Sequence, residues 1–191
     1  MEEELQPLVS QEAQAAPPQP GFGAVSMLRD VAISVILAII MIVFVYQPVK
    51  VEGTSMMPGL TDQERIFINK YTYKLGSGKI ERLDPVVFYY PYDVTQSYIK
   101  RIIGLPGDTI EIDEGTVYVN GRKIDEPYVP AEYRDRRSLQ RETVPADMYF
   151  VLGDHRSSSN DSRIWGFVPR KQIYGKAVFI YWPPNKIGRV H

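Results

Sequence analysis

The chain predicts a mainly β protein carried on a single N-terminal transmembrane helix, and three observations predict it. Val31 to Tyr46 reads VAISVILAIIMIVFVY, sixteen residues in which Ser34 is the only clearly polar side chain. Beyond Pro48 the apolar residues come instead in short runs rich in Val, Ile, Tyr and Phe, bounded by Gly, Pro and Asp, the signature of strands. With 22 basic and 23 acidic side chains among 191 residues, the composition is that of a globular chain with one core.

Taken in order, residues 1 to 24 are rich in Gln, Ala, Pro and Glu, lack apolar periodicity and hold four Glu without Lys or Arg. Such a stretch buries too little to offset the entropy of ordering, so it is expected to be a disordered tail. Residues 25 to 48 form the expected anchor. A span needs about 20 mostly apolar residues, which Leu28 to Gln47 supplies, with Arg29 and Asp30 at the entry interface and Pro48 as the stop. A cleaved leader fits less well, because the run lacks a basic flank before it and QPVKVEG offers no small-x-small site. Charge leaves the orientation open, with Arg29 on one side against Lys50 and Arg65 on the other.

Residues 49 to 191 are read as one β domain. The expected strands are ERIFINKYTY, PVVFYYP, SYIKRIIG, DTIEI, TVYVNG, MYFVLGD and AVFIYWP. Asp113-Glu114-Gly115 and Asn120-Gly121 mark local hairpins. Residues 126 to 147 break the strand pattern with polar and basic side chains and are expected to be a long surface loop.

Composition also excludes chemistry. No cysteine means no disulfide, no thiolate zinc site and no cysteine nucleophile. Two histidines, His155 and His191, leave little for a multi-histidine metal site or a Ser-His-Asp triad, so neither a metal nor a cofactor is expected. Residues 50 to 191 carry 21 basic against 18 acidic groups, too small an excess to imply nucleic acid as a partner.

Three stretches could carry chemistry. Ser55 lies in Gly53-Thr54-Ser55-Met56-Met57-Pro58-Gly59, where a serine between a glycine and a proline-stopped turn is an exposed nucleophile or simply a turn serine. Lys100 sits among apolar strand residues in Tyr98-Ile99-Lys100-Arg101-Ile102-Ile103 and must either reach water or be desolvated. A lysine buried beside a serine has its pKa lowered and can accept the hydroxyl proton. Asp154-His155-Arg156 and the serine-rich run to Arg163 supply hydroxyls and carboxylates able to orient an ammonium group, or merely form a polar loop.

Together, the anchor, VEGTSMMPGL, LDPVVFYYP, YIKRIIGLPGD and GDHRSSSNDSRIWGFV resemble the type I signal peptidase family in the expected order, over nearly all of residues 28 to 182. These are membrane-anchored Ser-Lys endopeptidases that remove signal peptides from exported preproteins, and the chain is similar to the short Gram-positive and cyanobacterial forms. The resemblance implies an antiparallel β-sheet catalytic domain, with Ser55 as nucleophile and Lys100 as general base. It implies a Ser159 hydrogen bond to the lysine, an Asp161, Arg163 ion pair and a loop-holding Asp154. It further implies cleavage after a small-x-small site read by shallow pockets at Val51, Met56, Leu60, Tyr98 and Ile99. The expected partners are signal peptides and the lipid bilayer of a plasma or thylakoid membrane, with the catalytic domain on the extracytoplasmic side.

The chain departs from the family pattern in three places. Gly53 stands where some members have a serine that assists the oxyanion, His155 where Asn is usual, and Asp84-Pro85 where Gly-Asp is usual. Backbone amides such as that of Ser55 are therefore expected to hold most of the oxyanion, with Thr54 a further candidate. Two rivals remain. A self-cleaving regulator of the SOS-repressor type shares the dyad but is soluble, and an anchored β domain that only binds partners leaves Lys100 without a role.

Overall fold

A computed structural model gives the fold and describes residues 23–71 and 78–190. The tail expected to be disordered lies, up to residue 22, outside the described residues. The chain divides into two compact units, one up to Ala38 and one from Ile39 onward.

The first described element is a helix, α1, over Ala24–Phe44. Within it the stretch Ala24–Met41 is long and apolar enough to cross a membrane, and none of it is buried. Arg29 donates to Asp30 Oδ1 at 3.1 Å, so the two charges near its start neutralise each other. The helix ends three residues before the expected Gln47, and Pro48 is not its stop. Pro48 lies instead inside a strand, β1 over Tyr46–Lys50, opposite Phe67. A proline is tolerated there because β1 is an edge strand, where the missing N–H leaves no ladder bond unmade.

The second unit is all antiparallel. Its larger sheet runs β1, β2 (Arg65–Asn69), β11 (Ile173–Trp182), β3 (Pro85–Tyr90), β4 (Asp93–Gly104), β9 (Met148–Leu152), β10 (Val168–Pro169), and β12 (Gly188–Arg189) pairs with β11. A smaller sheet runs β7 (Arg122–Lys123), β6 (Thr116–Val119), β5 (Thr109–Asp113), β8 (Leu139–Thr143). The hairpins form where turn residues asked for them: Glu114 and Gly115 join β5 to β6 at positive φ, and Asn120 and Gly121 do the same between β6 and β7.

Alternation along the strands divides the interior into three clusters. Val86, Phe88, Ile102, Val151 and Trp165 form one; Val51, Met56, Leu60, Ile66, Ile68 and Val87 form another. Ile103, Ile110, Val117, Phe150 and Leu152 join the two sheets in the third. Gly104 is required at that junction, since a Cβ there would meet Ile110 at 2.8 Å and Val144 at 2.9 Å.

Residues 126 to 147 are not a bare surface loop. Glu126, Val129 and Val144 are buried, a single 3-10 turn covers Ala131–Tyr133, and β8 completes the small sheet. The sequence pattern hid this because its buried residues are few and scattered, and the charged one, Glu126, finds its partner 30 residues away in the chain. Asp84, before Pro85, is also structural, paired with Lys176 across the large sheet.

Candidate active site

Two features of the sheet open a cleft. β9 pairs with β4 through Arg101, Ile102 and Gly104, so Ser97 to Lys100 has no β9 partner on that side. The chain leaving β1 then folds the turn holding Ser55 beside this edge, held by Gly53 N–H donating to Asp62 Oδ1 at 2.8 Å and Val51 N–H donating to Glu64 O at 2.8 Å. Gly53 has φ +92°, a conformation that disfavours any L side chain there. The cleft, about 280 Å³, is lined by Val51, Gly53, Ser55, Met56, Ser97, Tyr98, Ile99, Lys100 and Asn160, with Lys50 and Glu52. A larger apolar groove, about 660 Å³, runs along Tyr46, Phe67, Phe179 and Val190 and shares no lining residue with it.

Lys100 Nζ donates to Ser55 Oγ at 2.6 Å. The lysine residue is only 4% exposed, and burial pushes its pKa down to about 8. The Asp161 and Asp154 carboxylates pull it back up, and Arg163 opposes them. Desolvation wins because the carboxylates are spent on other cations. Asp161 accepts from Arg163 Nε and Nη2, each at 2.8 Å, and Asp154 accepts from Arg101 Nε at 2.9 Å and Nη2 at 2.6 Å. Burial also raises the Asp154 carboxyl, against the pull of Arg101.

The sequence-predicted residues fall into three groups. Ser55, Lys100, Val51, Met56, Tyr98 and Ile99 meet in the cleft. Asp154, Asp161 and Arg163 lie behind it as a buried ionic framework, with Asp154 bound to the strand neighbour of Lys100. Leu60 departs from expectation: it does not line the cleft but is buried beneath it against Ile66 and Ile68. Ser159 Oγ is buried and makes no hydrogen bond among the described residues, so the expected bond to Lys100 is not formed. Its side chain nonetheless abuts the site. A Cβ built at Gly153 would stand 2.2 Å from Ser159 Oγ and 2.5 Å from Ser55 O. Gly153→Ala must therefore displace the turn that holds Ser55, and we expect roughly 100-fold lower kcat/KM from misplacement alone, measured on a peptide substrate.

Residues 126 to 135, which the sequence reading left without a role, brace this framework from the other side. Glu126 accepts from both terminal nitrogens of buried Arg156 and from the Tyr128 hydroxyl at 3.1 Å. Tyr128 lies over the Arg101 guanidinium at 4.1 Å, and Asp135 accepts from Arg163 Nη1 at 2.8 Å. A charged residue in a stretch otherwise unable to form a strand was the only signal available. Glu126→Ala leaves Arg156 buried without its anion, which costs about 3 to 5 kcal/mol. The expected fall in Tm is roughly 10 °C by calorimetry. No cluster of His, Asp and Glu able to hold a metal ion occurs among the described residues.

A serine hydroxyl thus lies against a buried lysine amine at the locally open edge of an antiparallel sheet. The chain belongs to the family described as signal peptidase, peptidase S26, whose model matches residues 24–182. It is 34% identical to a signal peptidase I of Leptolyngbya laminosa over 93% of this chain and 90% of that one. It is 37% identical to signal peptidase I S of Bacillus subtilis over 85% of this chain and 91% of the relative. A crystal structure of a signal peptidase I from Enterococcus faecalis, 38% identical, matches 51% of this chain and 96% of that one at a TM-score of 0.46. The protein is thus a serine peptidase of a family that removes signal peptides.

Proposed function

We propose that this chain is anchored in a membrane by α1 and cleaves preproteins after a small-x-small site by a Ser-Lys mechanism. The observation that carries the reading is the 2.6 Å contact between Ser55 Oγ and a lysine whose pKa burial lowers to about 8. Neutral Lys100 takes the Ser55 proton as Oγ attacks the scissile carbonyl, and the oxyanion forms beside the Ser55 N–H. Lys100 then protonates the leaving amine, and water repeats the sequence on the acyl-enzyme. Asp154, Asp161 and Arg163 keep the lysine and the nucleophile turn in register. Ser159, whose buried hydroxyl has no hydrogen-bond partner among the described residues, orients the amine as the turn adjusts to substrate.

The substrate adds as an extended strand along Ser97 to Lys100, whose β9-facing edge has no strand partner, with Val51, Met56, Tyr98 and Ile99 bounding shallow pockets. Three parts of the chain divide the work: a cytoplasmic tail to residue 24, an anchor over 25 to 48 and an extracytoplasmic peptidase domain beyond. The exposed apolar side chains all round α1 support the anchor, since lipid is the solvent that would cover them. The test uses the full chain in lipid vesicles with two peptides, one carrying Ala-x-Ala and one carrying Asp-x-Asp at the same place. Cleavage of the first alone is the expected result, and cutting both or neither ends the proposal. In right-side-out vesicles an external protease should leave the tail intact; its removal while the body survives would reverse the topology.

A further inference from the structure

We propose that His155 is a positioning residue that orients the oxyanion-binding peptide of the nucleophile turn. The inference rests on the reading of Ser55 as nucleophile and adds to it the device that aims the Ser55 amide. His155 grips both carbonyls that flank the nucleophile: its backbone N–H donates to Ser55 O at 3.1 Å, and its Nδ1 lies 3.2 Å from Thr54 O. A carbonyl only accepts, so Nδ1 is the nitrogen that carries the hydrogen in this contact.

The Thr54–Ser55 peptide is trans, and in a planar trans unit the C=O and N–H point in opposite directions. Holding Thr54 O on the His155 side therefore turns the Ser55 N–H the other way. The cleft is lined by Gly53, Ser55 and Lys100 and not by His155. Among the described residues the Ser55 N–H makes no backbone hydrogen bond, so it remains available to a substrate oxygen. Met57 N–H also donates to Thr54 O, at 3.1 Å, but Met57 belongs to the same turn and moves with it. His155 instead ties the turn to the segment after β9, which the Arg156–Glu126 and Arg163–Asp161 pairs immobilise. The imidazole is itself held, its ring meeting that of Tyr133 edge-on with centroids 4.5 Å apart.

The experiment compares His155→Leu, which removes the donor, with His155→Asn, which restores one, in the full chain acting on an Ala-x-Ala peptide. His155→Leu should lower kcat about tenfold and leave KM within about twofold, because an oxyanion donor acts in the transition state. His155→Asn should recover at least half of the wild-type kcat. The probe that separates aiming from general loosening is an Ala-x-Ala peptide aldehyde, whose adduct with a serine hydroxyl places an oxygen at the oxyanion position. Its affinity should fall about tenfold in the Leu variant, while the same peptide ending in a primary alcohol binds as tightly as to wild type. Unchanged aldehyde affinity, a defect confined to KM, or an Asn variant no better than Leu overturns the proposal. If the Leu variant does not fold by thermal unfolding, Tyr133→Leu carries the test, since it keeps the donor and frees the ring. A threefold lower kcat is expected there, and an unchanged one overturns the proposal. Failure of the Ser-Lys reading is separately visible as cleavage that survives Ser55→Ala.

Discussion

Replacing Lys100 with Met is expected to abolish cleavage, by at least about 10⁴-fold in kcat/KM, and at the same time to raise the melting temperature at neutral pH. The loss follows from removing the one group among the described residues within hydrogen-bond reach of Ser55 Oγ that can accept its proton. The stabilisation follows from burial. Lys100 is pushed down to about 8 in the folded protein from an ordinary value of 10.5. The unfolded chain therefore holds a proton that the folded chain gives up between those values, and wild-type stability rises with pH across that window. Below about pH 8 the full cost of burying the ammonium is present, and Met, similar in shape and uncharged, removes it. The gain in Tm should be several degrees at pH 7 and shrink toward pH 10.5. Activity has the matching profile: the wild-type rate falls about tenfold per pH unit below about 8, as the neutral amine becomes scarce. Lys100→Arg keeps a charge that cannot act as a base, so it should be as inactive as Met without the gain in Tm. A flat rate between pH 6 and 9, or near wild-type cleavage by the Arg variant, would sink the role given to the lysine.

Ser55→Ala is expected to be the most severe single change, with kcat falling by roughly 10⁴ to 10⁶-fold while the substrate's Kd stays within about twofold. Only one atom is lost, and it is half-buried at the cleft wall, so unfolding should shift by no more than about 1 kcal/mol. The same variant should fail to form the aldehyde adduct that wild type forms. Carbon-13 NMR of the protein with a peptide aldehyde labelled at its carbonyl carbon reads this directly, because a hemiacetal signal, distinct from those of the free aldehyde and its hydrate, appears only where a hydroxyl has added. A retained adduct in Ser55→Ala would move the nucleophile elsewhere, with Ser159, buried and without a hydrogen-bond partner among the described residues, the first place to look.

The two variants act on residues that were visible before any fold was known, and the reasons are local. Lys100 stood out because four of the five residues flanking it in the strand from Tyr98 to Ile103 are hydrophobic or aromatic, and an amine among them is either exposed or desolvated. The hairpins at Glu114-Gly115 and Asn120-Gly121 were equally legible, since turn residues and strand alternation are properties of neighbours in the chain. Helix α1 announced itself by uninterrupted apolarity, but its end did not. Pro48 reads as a helix stop by its own geometry, yet an edge position in the sheet, a property of β2 and β1 together, is what accommodates it.

Sequence alone thus determined the mainly β class, the apolar helix and the short list of groups with chemical capacity, because period, composition and residue type are carried by consecutive positions. Tertiary structure decided which of those groups meet and in what state of charge. Ser55 and Lys100 are 45 positions apart, and only the closing of the turn against β4 brings Oγ to 2.6 Å from Nζ. Leu60 and Met56, alike as apolar neighbours in one motif, are both buried in one core cluster, and only the fold of the turn makes Met56 a wall of the cleft as well. Glu126 and Asp135 looked like solvated charges on a loop, and become counterions, Glu126 fully buried and Asp135 partly, only when Arg156 and Arg163 arrive from roughly 30 residues further along. A buried charge is tolerated only with its partner, and pairing at such distances is written in the packing of two sheets rather than in any stretch of sequence.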